Sequence, residues 1–137
     1  MEQLKVILDT NIIISAYFKK QSNSARVLKL ASKEKIKTFW NNKMRNELNI
    51  ILRNIHARQS FYKSIDKIYN NKNKIIRTPR INLIKEDPSD NIFLGLAKAT
   101  QADFVVSSDH HLLKFKEFDK TRILKPSQFI NYYNKHF

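Results

Sequence analysis

The sequence contains no cysteine, which excludes disulfides, thiolate catalysis and Cys-ligated zinc. It has a single glycine, Gly95, so a nucleotide fold built on a Gly-rich phosphate loop is excluded as well. There are three prolines, Pro79, Pro88 and Pro126, and no Gly/Pro-rich linker, internal repeat or low-complexity stretch divides the chain. No apolar run approaches the ~18 residues of a membrane span. The opening MEQLKVILDTN carries an acid early and only a short apolar run, unlike a signal peptide; the expectation is a cytoplasmic protein with no membrane partner. Acids are scarce, with 12 Asp and Glu against 26 Lys and Arg, a formal charge of +14.

With 137 residues, 42% of them hydrophobic, the chain can bury a core unaided, and one domain over 1–137 is expected. The basic excess favours a polyanionic partner, because each neutralised phosphate releases counterions. An acidic protein is the rival partner on charge alone.

Strand-like and helix-like segments alternate. Residues 4–8 read as a buried strand and 11–19 as a short helix, weakened by the β-branched run Ile12, Ile13 and Ile14. Ser22 or Asn23 caps a helix to about Lys33, and Lys37 to Trp40 is a short strand. Residues 42–57 form a helix with Met44, Leu48, Ile51, Leu52 and Ile55 at helical spacing, followed by a more polar helix over 60–72. The stretch 75–84 is extended and interrupted by Pro79. Asp87 then caps a helix with Pro88 at its first position, running to about Thr100. A strand at Phe104 to Ser107, a short helix at 110–115 and a strand at 122–124 follow. Pro126 opens a last helix with Phe129, Ile130, Tyr133 and Phe137 on one face. The pattern predicts an α/β fold, a central mainly parallel sheet of four to five strands between helical layers. Ligands bind such sheets outside the carboxyl ends of the strands.

Four acids are candidates, and three of them, Asp9, Asp90 and Asp109, follow apolar strands or open buried helices in that pattern. Asp9 follows VIL at a strand's carboxyl end, either as a ligand or as the cap of the next helix. Glu47 lies on or beside the apolar stripe of its helix, where it meets a cation or sits at the stripe's edge in solvent. In Asp87-Pro88-Ser89-Asp90 the two acids suit a capping box and the helix dipole, while Asp90 also precedes the apolar pair Ile92 and Phe93. Asp109 follows FVVSS, as a ligand or as a cap. Two carboxylates ~4 Å apart repel by ~4 kcal/mol at an effective dielectric of 20, so a cluster of them calls for a cation. All-oxygen ligation selects Mg²⁺ or Mn²⁺.

At these residues the chain resembles the PIN-domain ribonuclease family, found among bacterial toxin–antitoxin toxins. The resemblance lies in ILDTNIIISA (7–16), MRNELNIIL (44–52), EDPSDNIFLGLA (86–97) and ADFVVSSDHHLL (102–113), with ILKPSQFI (123–130) similar to the family's usual end. It implies a parallel sheet between helices and an acidic Mg²⁺/Mn²⁺ pocket made by Asp9, Glu47, Asp90 and Asp109. Asn11 would orient Asp9, Asp87 is a frequent extra acid, and Ser108 occupies the small position before the last Asp. Asn41 replaces the usual Ser or Thr before the Glu-bearing helix, and Asn caps comparably. His110 and His111 stand where charged residues are common, either as a solvated pair or in contact with substrate.

The implied activity is metal-dependent hydrolysis of RNA phosphodiesters by the toxin of a toxin–antitoxin pair, with an antitoxin partner and a homodimer. Lys43, Arg45 and Lys114, with Lys19 and Lys20, are the candidate phosphate contacts, each also explained as plain solvated surface. Trp40 and Tyr17 either stack on bases or pack in the core. A non-catalytic RNA-binding domain and a DNA-directed nuclease of the same fold are the alternatives. An aspartyl-nucleophile phosphatase wants a second acid at position 11, which is Asn11.

Overall fold

A computed structural model describes residues 3–85 and 90–137. Five strands form one sheet in the order β2-β1-β3-β5-β4: β1 (Lys5–Leu8), β2 (Lys37–Thr38), β3 (Phe104–Val106), β4 (Glu117–Phe118) and β5 (Thr121–Leu124). All neighbours are parallel except the β4–β5 hairpin. Val6, Ile7 and Leu8 of β1 and Val105 and Val106 of β3 are all buried, as continuous apolar strands of a parallel sheet covered on both faces must be. Seven α-helices are described: α1 (Thr10–Phe18), α2 (Asn23–Ser32), α3 (Asn42–Asn54), α4 (Gln59–Ile68), α5 (Asn91–Thr100), α6 (His110–Leu113) and α7 (Pro126–His136). The chain steps from β1 outward to β2 and then back across β1 to β3. Right-handed crossovers in these opposite directions put α1 and α2 on one face and α5 on the other, while α4 folds back to pack on α1 and α2. Accordingly α2 packs on α1 and α7, while α5 lies against β1 and β3.

Local chemistry explains the boundaries. α1 forms despite its three isoleucines because Ile12 and Ile13 are fully buried and Asp9 caps the first turn. Burial of each such side chain is worth ~1.5–3 kcal/mol, far above the propensity penalty. Ser22 caps α2 and Asn41 caps α3, each side-chain oxygen accepting the amide three residues on. The Lys37 strand is shorter than expected, and Trp40 instead makes an isolated bridge to Lys74. α3 stops at Asn54, because Ile55 caps it and His56 takes a left-handed φ of 53°. α4 ends at Ile68, with residues 71–73 in a single 3-10 turn. β4 had no signal of its own: it is two residues long, exposed to half-buried, and exists by pairing with β5. The expected start of α5 at Asp87 and Pro88 lies outside the described residues.

Residues 74–84 form no strand or helix but run as a strap, fixed at three places. Ile75 N–H donates to the Trp40 carbonyl at 2.8 Å. Further along, the Pro79 carbonyl passes 2.8 Å from where a Cβ would stand on Gly95, which is why the only glycine sits inside a helix. At the far end the Asn91 side chain accepts from Leu83 N–H (3.2 Å) and Ile84 N–H (2.9 Å) and donates to the Ile84 carbonyl (2.9 Å). The turns consequently have no glycine to use, and Glu34, His56, Gln101, Lys116 and Asp119 adopt the left-handed conformation themselves.

Candidate active site

Asp9 leaves β1 at its carboxyl end and is 3% exposed. Its Oδ1 accepts the Asn11 main-chain N–H at 3.1 Å, and its Oδ2 accepts the Ser107 hydroxyl at 2.5 Å. A buried carboxylate needs such donors. The capping reading and the site reading of Asp9 therefore coexist, since the cap uses one oxygen and Ser107 the other. Asn11 orients Asp9 through its backbone, while the residue itself is exposed.

Ser107 is fully buried just past β3, and joins two acids. While donating to Asp9 it accepts the Asp109 N–H at 3.0 Å. Ser108, the serine singled out from the sequence, is exposed. Residues two apart on an extended chain share a side, so Ser107 rather than Ser108 is placed with Asp109. Spacing from Asp109 was the signal that could have found it. Asp109 caps α6, its Oδ1 accepting the His111 N–H at 2.9 Å. Asp90 is buried at the start of α5 and makes no side-chain cap to that helix. Its side chain instead stands beside Asp109, close enough to lower that carboxyl. Burial alone would raise the Asp109 carboxyl. The neighbouring Asp90 side chain, the His111 amide and the charges of His111 and His110 outweigh burial and hold it below the usual carboxylate range. Asp9, Ser107 and Asp109 are thus bonded to one another at the carboxyl edge of the sheet, and with Asp90 beside Asp109 they make an acid nest. Asp87 lies outside the described residues.

Beside the nest is Tyr69, stacked on Trp40 with ring centroids 5.3 Å apart. Its phenol is pushed well above its usual range, chiefly by burial, against the lowering effect of Arg45 and with a raising contribution from the charge of Asp9. The hydroxyl is buried and has no hydrogen-bond partner among the described residues. Trp40 and Tyr17 both pack in the core, so neither is available for base stacking.

The other sequence candidates fall elsewhere. Glu47 is half-buried on α3 and takes part in no hydrogen bond or ion pair among the described residues, so the bonded nest does not include it. Arg45 is committed locally: it pairs with Asp66 at 2.7 Å, bonds Asn49 at 3.1 Å and lies over the Tyr69 ring. Lys19, Lys20, Lys43 and Lys114 are exposed. His110 and His111 flank Asp109, with ligand atoms of the three within 4.8 Å of one another. The His110 side chain is 85% exposed, with Nδ1 4.0 Å from Asp109 Oδ1.

The nest fits a divalent cation on the chemistry of its donors. Neighbouring carboxylates such as Asp90 and Asp109 repel one another, and a cation between them relieves that repulsion. Asp9, Asp90 and Asp109 offer oxygen donors suited to Mg²⁺ or Mn²⁺, and the adjoining imidazoles tilt the preference toward Mn²⁺. Among the described residues no helix is long and apolar enough to cross a membrane.

A family model described as PIN domain matches residues 5–111, a stretch that runs from β1 through His111 and contains all four candidate acids. No curated protein matches the chain. No solved structure matches it either.

Proposed function

Because the chain belongs to the PIN-domain family, a family of nucleases, we propose that it is a Mg²⁺- or Mn²⁺-dependent ribonuclease that hydrolyses RNA phosphodiester bonds. The observation that carries this reading is that Ser107 bonds both the buried Asp9 carboxyl and the Asp109 main chain, with the buried Asp90 beside Asp109, bringing together acids from distant parts of the chain. Asp9, Asp90 and Asp109 hold the ion, with Glu47 completing the pocket from α3. When bound, the ion supplies Lewis-acid neutralisation of the charge that develops on the transferring phosphate. Ser107 and the Asn11 amide fix the rotamer of Asp9, so its oxygens are positioned before an ion arrives. The His111 amide does the same for Asp109. Lys43 and Lys114 stand on the surface to meet flanking phosphates.

The role as toxin of a toxin–antitoxin pair, an antitoxin partner, a homodimer and a cytoplasmic location are part of the same proposal. What supports them is the resemblance of the sequence blocks and the charge of +14, which suits an acidic antitoxin segment as well as RNA. A neighbouring gene for a small DNA-binding protein is the expected companion.

The test is cleavage of labelled RNA and DNA with and without Mn²⁺, beside Asp9→Asn. RNA is expected to be cut only with metal, and the variant to fall by about 100-fold or more. Its circular dichroism should stay unchanged, since Asn caps α1 as Asp does. Undiminished cutting by the variant, or in excess EDTA, overturns the reading. Cutting of DNA alone transfers it to a DNA-directed nuclease, and RNA binding without any cutting to a non-catalytic domain.

A further inference from the structure

From Lys67 to Lys85 the sequence carries six cations, Lys67, Lys72, Lys74, Arg77, Arg80 and Lys85, and no acid. Of this run, Lys74, Arg77 and Arg80 lie on the strap itself. Between it and the amino end of α3 lies a groove of about 590 Å³, lined by Asn41, Lys43, Lys74, Arg80, Asn91 and Ile92 among others. Among its described lining residues none is acidic. Arg77 and Arg80 are exposed. The groove adjoins the nest, because Asn91 directly follows Asp90 and Trp40, which bridges the strap, stacks on Tyr69.

We infer that the strap and its groove form the track for a single-stranded polynucleotide, holding the phosphates that flank the bond lying at the nest. This rests on the nuclease reading for the position of the scissile bond, but not for binding itself. Its first support is electrostatic. A nest of carboxyls repels a phosphodiester, and a neighbouring row of cations offsets that repulsion and raises the local concentration of a polyanion. The second support is the anchoring. An unstructured basic segment would be free to swing, whereas Trp40, Gly95 and Asn91 hold this one in place, so little ordering entropy is lost on binding. A third is the lining chemistry: lysine, arginine and asparagine side chains offer donors to phosphate and base edges without requiring duplex geometry.

The test uses the full chain carrying Asp9→Asn, which binds without cutting, and a fluorescein-labelled unstructured RNA read by anisotropy over a salt series. Arg77→Glu with Arg80→Glu is compared with Lys35→Glu with Lys120→Glu. The second pair makes the same charge change at exposed residues next to the amino ends of β2 and β5, away from the carboxyl edge. The strap pair is expected to weaken binding about tenfold or more and to lower the salt slope by about 1.4, the loss of two single-strand phosphate contacts. The control pair should keep nearly all of both. Equal losses in the two pairs overturn the inference and leave only net charge. Unchanged RNA affinity in the strap pair, with weakened binding of a poly-glutamate peptide, also overturns it and gives the strap to an acidic protein. Failure of the wild-type chain to cut RNA sinks the nuclease reading alone, because strap-dependent binding is read without cleavage.

Discussion

The acid nest and the basic strap meet where Asp90 passes into Asn91, yet they are built by opposite means. Asp9 and Ser107 are 98 positions apart, and only pairing of β1 with β3 brings them within bonding distance. The strap is one contiguous stretch whose charges need no fold to be neighbours, and the fold contributes only its anchors. In the nest Asp9, Ser107 and Asp90 are buried and Asp109 half-buried, and Asp9, Ser107 and Asp109 are held by hydrogen bonds. The strap is largely exposed and its cations are long and solvated. Charges of the first kind have fixed geometry, which chemistry on a phosphate requires; those of the second kind confer affinity that salt screens.

The contrast breaks most sharply at Ser107. Ser107→Ala removes the hydroxyl that serves Asp9 Oδ2 and the Asp109 amide together. A loss of about 10- to 100-fold in Mn²⁺ affinity is expected by titration calorimetry, with about 1–3 kcal/mol lost in urea unfolding. Ser108→Ala, one residue on and exposed, should change neither. On the strap side the sensitive position is Gly95. An added Cβ meets the Pro79 carbonyl at 2.8 Å, and overpacking of about 1–3 kcal/mol works against a gain of ~1 kcal/mol in helix propensity. Gly95→Ala should therefore leave global stability within ~2 kcal/mol, while amide exchange at Leu83 and Ile84 speeds up and Mn²⁺ affinity holds. The smallest effect is expected at Tyr69, the wall between the two regions. Its buried hydroxyl has no partner among the described residues, so Tyr69→Phe should stabilise by about 1 kcal/mol, a rise of ~3 °C in melting temperature. A fall instead would mean that the hydroxyl serves the nest.

Much of the nest was legible in the sequence because position along a strand says where a residue goes. VIL before Asp9 and FVV before Ser107 and Asp109 mark carboxyl ends, and a parallel sheet lines those ends up along one edge. Asp90 was legible only in part, since its neighbours Asp87 and Pro88 gave an equally good account of it as a helix start; the structure gives it no side-chain cap to α5 and sets it beside Asp109. Ser107 was missed because two adjacent serines look alike until the pleat assigns one inward. Glu47 shows the limit in the other direction: helical spacing put it beside the buried stripe but carries no information on what stands across from it. The strap escaped notice as a unit because nothing local marks it. Pro79 signalled a break, while its anchors come from Trp40, Asn91 and Gly95, which are distant or lie on another element.

The hydroxyl–carboxylate bond across 98 positions also governs timing. A chain emerging from the ribosome presents Asp9 well before its partner Ser107, which follows 98 positions later. A domain that folds as it is synthesised therefore finishes this pocket late. Fragments released before Ser107 is made would lack this bond, so the candidate pocket would stay incomplete in them.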